Sequence, residues 1–179
     1  MGVGEQANLV HLIDFGLSKE FRDPKTHAHI PYKKDLGLTR TAIFASINSH
    51  LGLELERWDD LESLTYILFY FLWGFLPWQG LRKKDMLKSK QTISTYDLFH
   101  KLPMEFRAFL KHCHSLSFKG KPNYNHFLTV FDNLLSTEVF QSEMAFNWNV
   151  AGGKIMRQGH RKSRILKHEC SPSVKQCIG

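Results

Sequence analysis

The chain has 179 residues, 42% hydrophobic and 13% aromatic, with 24 Lys and Arg against 17 Asp and Glu. That length suits one domain, or one lobe with a tail, and excludes a string of independent domains. The net charge of +7 invites a nucleic-acid or anionic-membrane reading, but residues 151–179 hold seven of the cations against Glu169 alone; residues 1–150 keep 17 cations and 16 carboxylates and offer no basic platform.

The first ten residues, MGVGEQANLV, lack the basic start and apolar run of a secretory signal, and Gln6 stands where a myristoylation motif carries Ser or Thr. Cys113, Cys170 and Cys177 make an odd count that suits a reducing compartment rather than a disulfide framework. A cytoplasmic or nuclear location is therefore expected. Leu9–Ile13 reads LVHLI, a short apolar run stopped by Asp14, Phe15 and Gly16, which predicts one small strand and a turn. Residues 21–40 are polar and without period, interrupted by Pro24, Pro31 and Gly37, and predict a long loop.

Asp59, followed three residues later by Glu62, resembles a capping start. The helix it opens is apolar on every side, with Leu61, Leu64, Ile67, Leu68, Phe69, Phe71 and Leu72, which predicts a buried central helix. The apolar stretch Leu61–Trp78 includes Glu62, Ser63 and Thr65 and falls short of the roughly 20 residues of a membrane span. A short helix is expected over Lys84–Ile93. Two amphipathic helices follow, one after Pro103 with Phe106, Phe109, Leu110, Cys113 and Leu116, the other after Pro122 with Tyr124, Phe127, Leu128, Phe131, Leu134 and Leu135. Residues 151–179 hold too few large apolar side chains to offset ordering entropy and are expected to form a disordered basic tail. The expected architecture is mainly α, with one short β segment and a long loop.

Asp14-Phe15-Gly16 alone is a three-residue pattern that also suits a plain turn. Its context is specific: IDFGLSKEFRD, then THAHIPY, then LTRTAIFASINSHLG, then RWDDLESLTYILFYFLWGFLPWQGL. This series resembles the casein kinase 1 family of Ser/Thr protein kinases, nearly without gaps from about Val10 to Ile93 and again through EFRAFLKHCHSLSFKGKPNYNHF to FNWN at Phe146 to Asn149. The triplet Ser46-Ile47-Asn48 matches the family's replacement for the Ala-Pro-Glu of most kinases. The resemblance implies a kinase C-terminal lobe over residues 1–150, Asp14 at the Mg²⁺-ligand position, and an activation segment that includes Asp14, Phe15, Gly16, Thr41, Ser46, Ile47 and Asn48. It also implies Asp60 as the carboxylate that ties a catalytic loop to the central helix.

The intact family moves the γ-phosphoryl of Mg·ATP to Ser or Thr hydroxyls of protein substrates, which requires a glycine-rich loop, a strand lysine with its glutamate, and a catalytic loop with base Asp and Asn. The thirteen residues before Asp14 contain none of these. Expected, therefore, is a C-terminal lobe without its N-terminal lobe, through a shortened gene or gene model, with no catalytic base and no bound Mg·ATP of its own. Apolar surface around the DFG turn should be left exposed. Ile43 and Ser89 stand where the family carries the arginine and lysine of an anion site, with Lys88 and Lys90 flanking Ser89, so the usual preference for acidic or phosphorylated substrates does not carry over at these positions. A pseudokinase-type module that binds kinase substrates or partners is the alternative. A nucleic-acid contact would fall to the tail, where Arg161-Lys162-Ser163-Arg164 reads either as a nuclear-localisation patch or as solvated chain.

Three further groups resemble sites. His112, Cys113 and His114 are consecutive helical residues, which point in different directions and cannot converge on one ion. His27 and His29 are expected to order the loop, and Phe69, Tyr70, Phe71 and Trp73 to be core.

Overall fold

The computed structural model describes Gln6 and residues 9–38, 41–100 and 102–137, and it is mainly helical. Six α-helices succeed one another: α1 (Ile47–His50), α2 (Arg57–Trp73), α3 (Lys83–Thr92), α4 (Thr95–Phe99), α5 (Met104–Ser115) and α6 (Tyr124–Thr137). Among the described residues there is no strand, only an isolated antiparallel bridge between Arg22 and His29. The expected basic tail at 151–179, with Ser163, Cys170 and Cys177, and the FNWN motif lie outside the described residues. The chain divides into two units; of the described residues, Gln6, 9–18 and 133–137 belong to one, and those between 19 and 132 to the other.

In the larger unit α2 is the organising helix. It packs against α5 and α1, α5 also packs on α4, and α1 on α3. Helix α2 starts two residues before the expected Asp59, because Glu56 is the N-cap and its backbone N–H donates to Asp59 Oδ2 at 2.8 Å. Asp59 thus acts from the third helical position, where a carboxylate satisfies one of the orphan N–H groups at a helix start. The helix ends at Gly74, whose φ of 80° lets its N–H close back on the Tyr70 carbonyl at 2.7 Å.

Burial on α2 is one-sided, unlike the expected all-round burial. Asp59, Glu62, Thr65, Tyr66 and Phe69 are buried, following a helical repeat, whereas Leu64, Phe71 and Leu72 are exposed, Phe71 at 75%. Phe71 is therefore not core. Phe69 is, with Tyr70 and Trp73 packed against the same cluster. That cluster joins Tyr66 and Phe69 to Leu76, Trp78, Leu98, Phe99 and Leu110, drawing on α2, α4, α5 and the turn after α2. A second cluster, Phe109, Cys113 and Phe127 with Leu61 and Phe131, seats α6 on α5 and α2; the Phe109 and Phe127 rings meet edge-on at 4.5 Å.

Before α1 the larger unit is irregular, as the composition of residues 21–40 leads one to expect. Asp23 Oδ1 accepts N–H donors from Lys25 and Thr26, forming a turn that the Asp23 to Ala28 and Ile30 to Phe21 backbone bonds close. The loop is stapled to the helices at Gly52, whose carbonyl accepts from Leu36 N–H at 2.9 Å. Gly52 has φ 69°, and a Cβ there would sit 2.7 Å from the Leu36 carbonyl oxygen. Gly52→Ala is expected to cost about 2 kcal/mol or more, measured as a lower urea midpoint with unchanged slope.

In the smaller unit Leu9–Ile13 does not form the expected strand. A strand needs a partner to satisfy its backbone, and none is paired with this run among the described residues. Leu12, Ile13, Phe15 and Leu17 lie 65–82% exposed. This matches the expected apolar exposure, and Phe15 is not seated in apolar surroundings. Asp14 stands in the left-handed region, φ 64° and ψ 64°, and Gly16 lies in the short 3₁₀ turn Phe15–Leu17.

Candidate functional site

The segment Thr41–His50, a turn running into α1, is anchored by backbone bonds and by side chains of the flanking helices. Thr41 is exposed, but its carbonyl accepts from Phe44 and Ala45 N–H groups and turns the chain. Ser46 is 1% exposed and caps α1, its Oγ accepting from Ser49 N–H at 3.2 Å. Ile47 N–H, an orphan of the same helix start, donates to Glu62 Oε1 of α2 at 3.0 Å. Asn48 is half-buried, and its carbonyl accepts from Leu53 N–H. Thr41, Ser46, Ile47 and Asn48 are thus brought onto one continuous stretch that Glu62 ties to α2.

Glu62 is fully buried, and its Oε1 also accepts from Tyr66 OH at 2.7 Å, with His114 Nε2 at 3.5 Å. Burial, with the Glu62 charge and hydrogen bond adding to it, holds the Tyr66 phenol far above its usual range. The opposite side of the segment is held by α3. Lys90, 4% exposed, sends Nζ to the Ala42 carbonyl at 3.1 Å and the Ala45 carbonyl at 2.6 Å, and lies 3.2 Å from His50 Nε2. The Tyr66 and Trp78 rings face it at 4.9 and 5.0 Å. Burial pushes the Lys90 amine down to about 7, with the Glu62 charge opposing. Trp78 completes the anchoring by donating Nε1–H to the Ile43 carbonyl at 2.7 Å.

Ile43 packs against the main core cluster, and Ser89 is buried. Lys90 points inward to carbonyls, whereas Lys88 is exposed. Asp60 is exposed, whereas its neighbour Asp59 is wholly buried. Burial raises the Asp59 carboxyl to about 6, against the Glu56 N–H and the Ser46 hydroxyl, which favour the charged form. A carboxyl raised in the fold from the ordinary 3.8 contributes stability below that value and loses it as pH climbs to about 6. Asp59→Asn should therefore gain about 1–3 kcal/mol relative to the parent between pH 4 and 6.5, read from urea unfolding at both pH values. Parallel stabilities would refute this.

His29 ties the loop down: its Nε2 lies 3.1 Å from Glu56 Oε1, its Nδ1 2.9 Å from the Ile30 carbonyl, and its ring meets Phe118 edge-on. Burial raises the Glu56 carboxyl despite this histidine. Lys19 pairs with the buried Glu54 at 2.5 Å. His27 occupies the exposed turn with φ 57°. On α5 the three consecutive side chains diverge: Cys113 into the core, His112 against Phe127, and His114 toward Glu62.

In the smaller unit Asp14 is exposed and offers a single carboxylate. No three His, Cys, Asp or Glu side chains among the described residues converge as a metal site. Mg²⁺ is held by one or two carboxylates together with substrate phosphates; Asp14 brings one carboxylate, which is not a Mg²⁺ site by itself. No helix among the described residues is long and apolar enough to cross a membrane. No protein-family model matches the chain.

The contacts of Glu62, Tyr66, His50 and Lys90 escaped the sequence reading, although a signal existed. Glu62, Tyr66 and Phe69 share one buried face of α2, so a carboxylate falls inside an apolar stripe. Lys90 falls between Met86 and Ile93 at helical spacing, and both of those pack against the core.

Proposed function

We propose that these residues are the C-terminal-lobe portion of a casein kinase 1-like Ser/Thr protein kinase domain, the part that receives a protein substrate. The observation that carries the reading is the Ser46-Ile47-Asn48 triplet at the start of α1, held by Glu62 of α2; the Asp14-Phe15-Gly16 turn precedes it in the sequence. An activation segment needs a fixed end against which a substrate chain can lie, and the Glu62 bond with the Lys90 and Trp78 contacts provides one. By themselves these 179 residues contain no base, no strand lysine and no glycine-rich loop. Positioning alone can be worth about 7–11 kcal/mol of a barrier, so these residues alone are expected not to turn over Mg·ATP. The role of this portion is to hold the substrate chain that carries the acceptor hydroxyl and to bring the Asp14 carboxylate to a site that the other parts of a kinase complete.

A chimera tests the reading. Residues 9–150 joined behind the N-terminal lobe and catalytic loop of a casein kinase 1 should transfer phosphate from Mg·ATP to casein, and Asp14→Asn should abolish the transfer. A folded chimera without transfer, or one indifferent to Asp14→Asn, would reject it.

A further inference from the structure

Lys90 brings a cation into a site whose contacting groups are uncharged: two backbone carbonyls, an imidazole nitrogen and two aromatic faces. An ammonium has three N–H donors, and here they match three acceptors, Ala42 O, Ala45 O and His50 Nε2. That match requires His50 Nε2 to accept, so the imidazole carries its proton on Nδ1. His50 Nε2 also lies 3.0 Å from the Ala42 carbonyl. If Nζ gives up a proton it keeps two donors and gains a lone pair, and the other imidazole tautomer, with Nε2–H, then donates to Nζ or to the Ala42 carbonyl. Two cations 3.2 Å apart in this enclosed place would repel strongly, so lysine and histidine together hold at most one excess proton.

We propose that Lys90 and His50 form a proton-linked latch on the Thr41–His50 segment, closed by the lysine ammonium and loosened when its proton leaves. Charge-assisted bonds to the Ala42 and Ala45 carbonyls are about twice as strong as neutral ones, so the turn is held more tightly in the protonated state. Among the described residues the charges acting on the pair are these. From α2, Glu62 favours the ammonium, while its Oε1 is already engaged by Ile47 N–H and Tyr66 OH. From α3 itself, Lys83 acts on His50, whose imidazole is lowered first by burial and then by Lys90. The Thr41–Ser46 stretch presents backbone carbonyls; on α5, His114 and Cys113 bear on Glu62. The Trp78 bond to Ile43 carries no titrating group and remains as a fixed pin beside the movable contact. The latch rests on these contacts and needs no kinase activity.

The experiment is a pH titration of the full chain by nitrogen-detected NMR of the His50 ring and Lys90 Nζ, with amide exchange followed on the same sample. The His50 ring should pass from the Nδ1–H to the Nε2–H tautomer as Lys90 loses its proton, with one shared midpoint near pH 7. Exchange at Phe44 and Ala45 should rise above that midpoint faster than hydroxide catalysis alone explains. Lys90→Met should remove both the tautomer change and the extra exchange; should that variant fail to fold, the parent titration decides alone. A Lys90 that stays charged to about pH 9, a His50 that passes through an imidazolium like a free side chain, or exchange at Phe44 and Ala45 with only the intrinsic slope would each overturn the latch.

Discussion

Replacing Glu62 with leucine is expected to destabilise the fold by about 3–5 kcal/mol, because two buried donors lose their acceptor at once. Ile47 N–H and Tyr66 OH both end on Oε1; Ile47 is half-buried, and Tyr66 is 1% exposed, so its hydroxyl has no water within reach. The apolar replacement gains some hydrophobic contact, but the unsatisfied donors decide the sign. Glu62→Gln keeps a carbonyl oxygen for both donors and should cost only about 1–2 kcal/mol. A double-mutant cycle with Tyr66→Phe separates the two bonds: if the phenol bond matters, the coupling should reach about 1 kcal/mol or more. Urea unfolding of the parent and of each variant, the double variant included, is the measurement. Equal midpoints for Glu62→Leu and Glu62→Gln would show that the shared oxygen does not hold α1 to α2.

Trp78→Ala should have an effect of similar size, about 3–5 kcal/mol, for a different reason. Trp78 is 0% exposed, meets the Tyr66 ring edge-on at 4.9 Å, and lies under Lys90. Truncation leaves a cavity in the main cluster and also strips the Ile43 carbonyl of its donor. Trp78→Phe retains much of the volume but not the N–H, so it should lose about 1–2 kcal/mol, mostly the bond to Ile43. The test is the ordering of the three thermal midpoints, parent above Phe above Ala. A phenylalanine variant as unstable as the alanine one would mean that the bond, not the packing, dominates.

Much of the helical architecture was legible because periodicity is a local property. Phe109, Leu110 and Cys113 mark the buried face of α5, and Phe127 with Phe131 the seat of α6, at the spacing the residues themselves display. The expected helix over Lys84–Ile93 is observed as Lys83–Thr92. Helices α1 and α4 are too short to show a repeat and depend on caps, Ser46 for one and Ser94 for the other, whose side chains accept from the third residue onward. The strand failed for the opposite reason: LVHLI has the composition of a strand, yet pairing is a relation to another segment that composition does not contain. Phe71 was misjudged because apolarity says that a side chain gains from cover, not that cover is present. In the Thr41–His50 segment, the Ser46 cap of α1 falls within the Ser46-Ile47-Asn48 motif that the sequence singles out. The supports of that segment were not legible, since Lys90 and Glu62 are charged residues whose partners lie 40 and 15 positions away.

The buried thiol on α5 supplies a clock for the interior. Cys113 is 0% exposed, and burial raises its sulfhydryl to about 12, so in the closed molecule it has neither the access nor the thiolate that an alkylating reagent requires. It is modified only when Phe109 and Phe127 part around it. The pace at which iodoacetamide consumes this sulfur therefore reports the fraction of time α6 stands away from α5, obtained without denaturant and at a single atom.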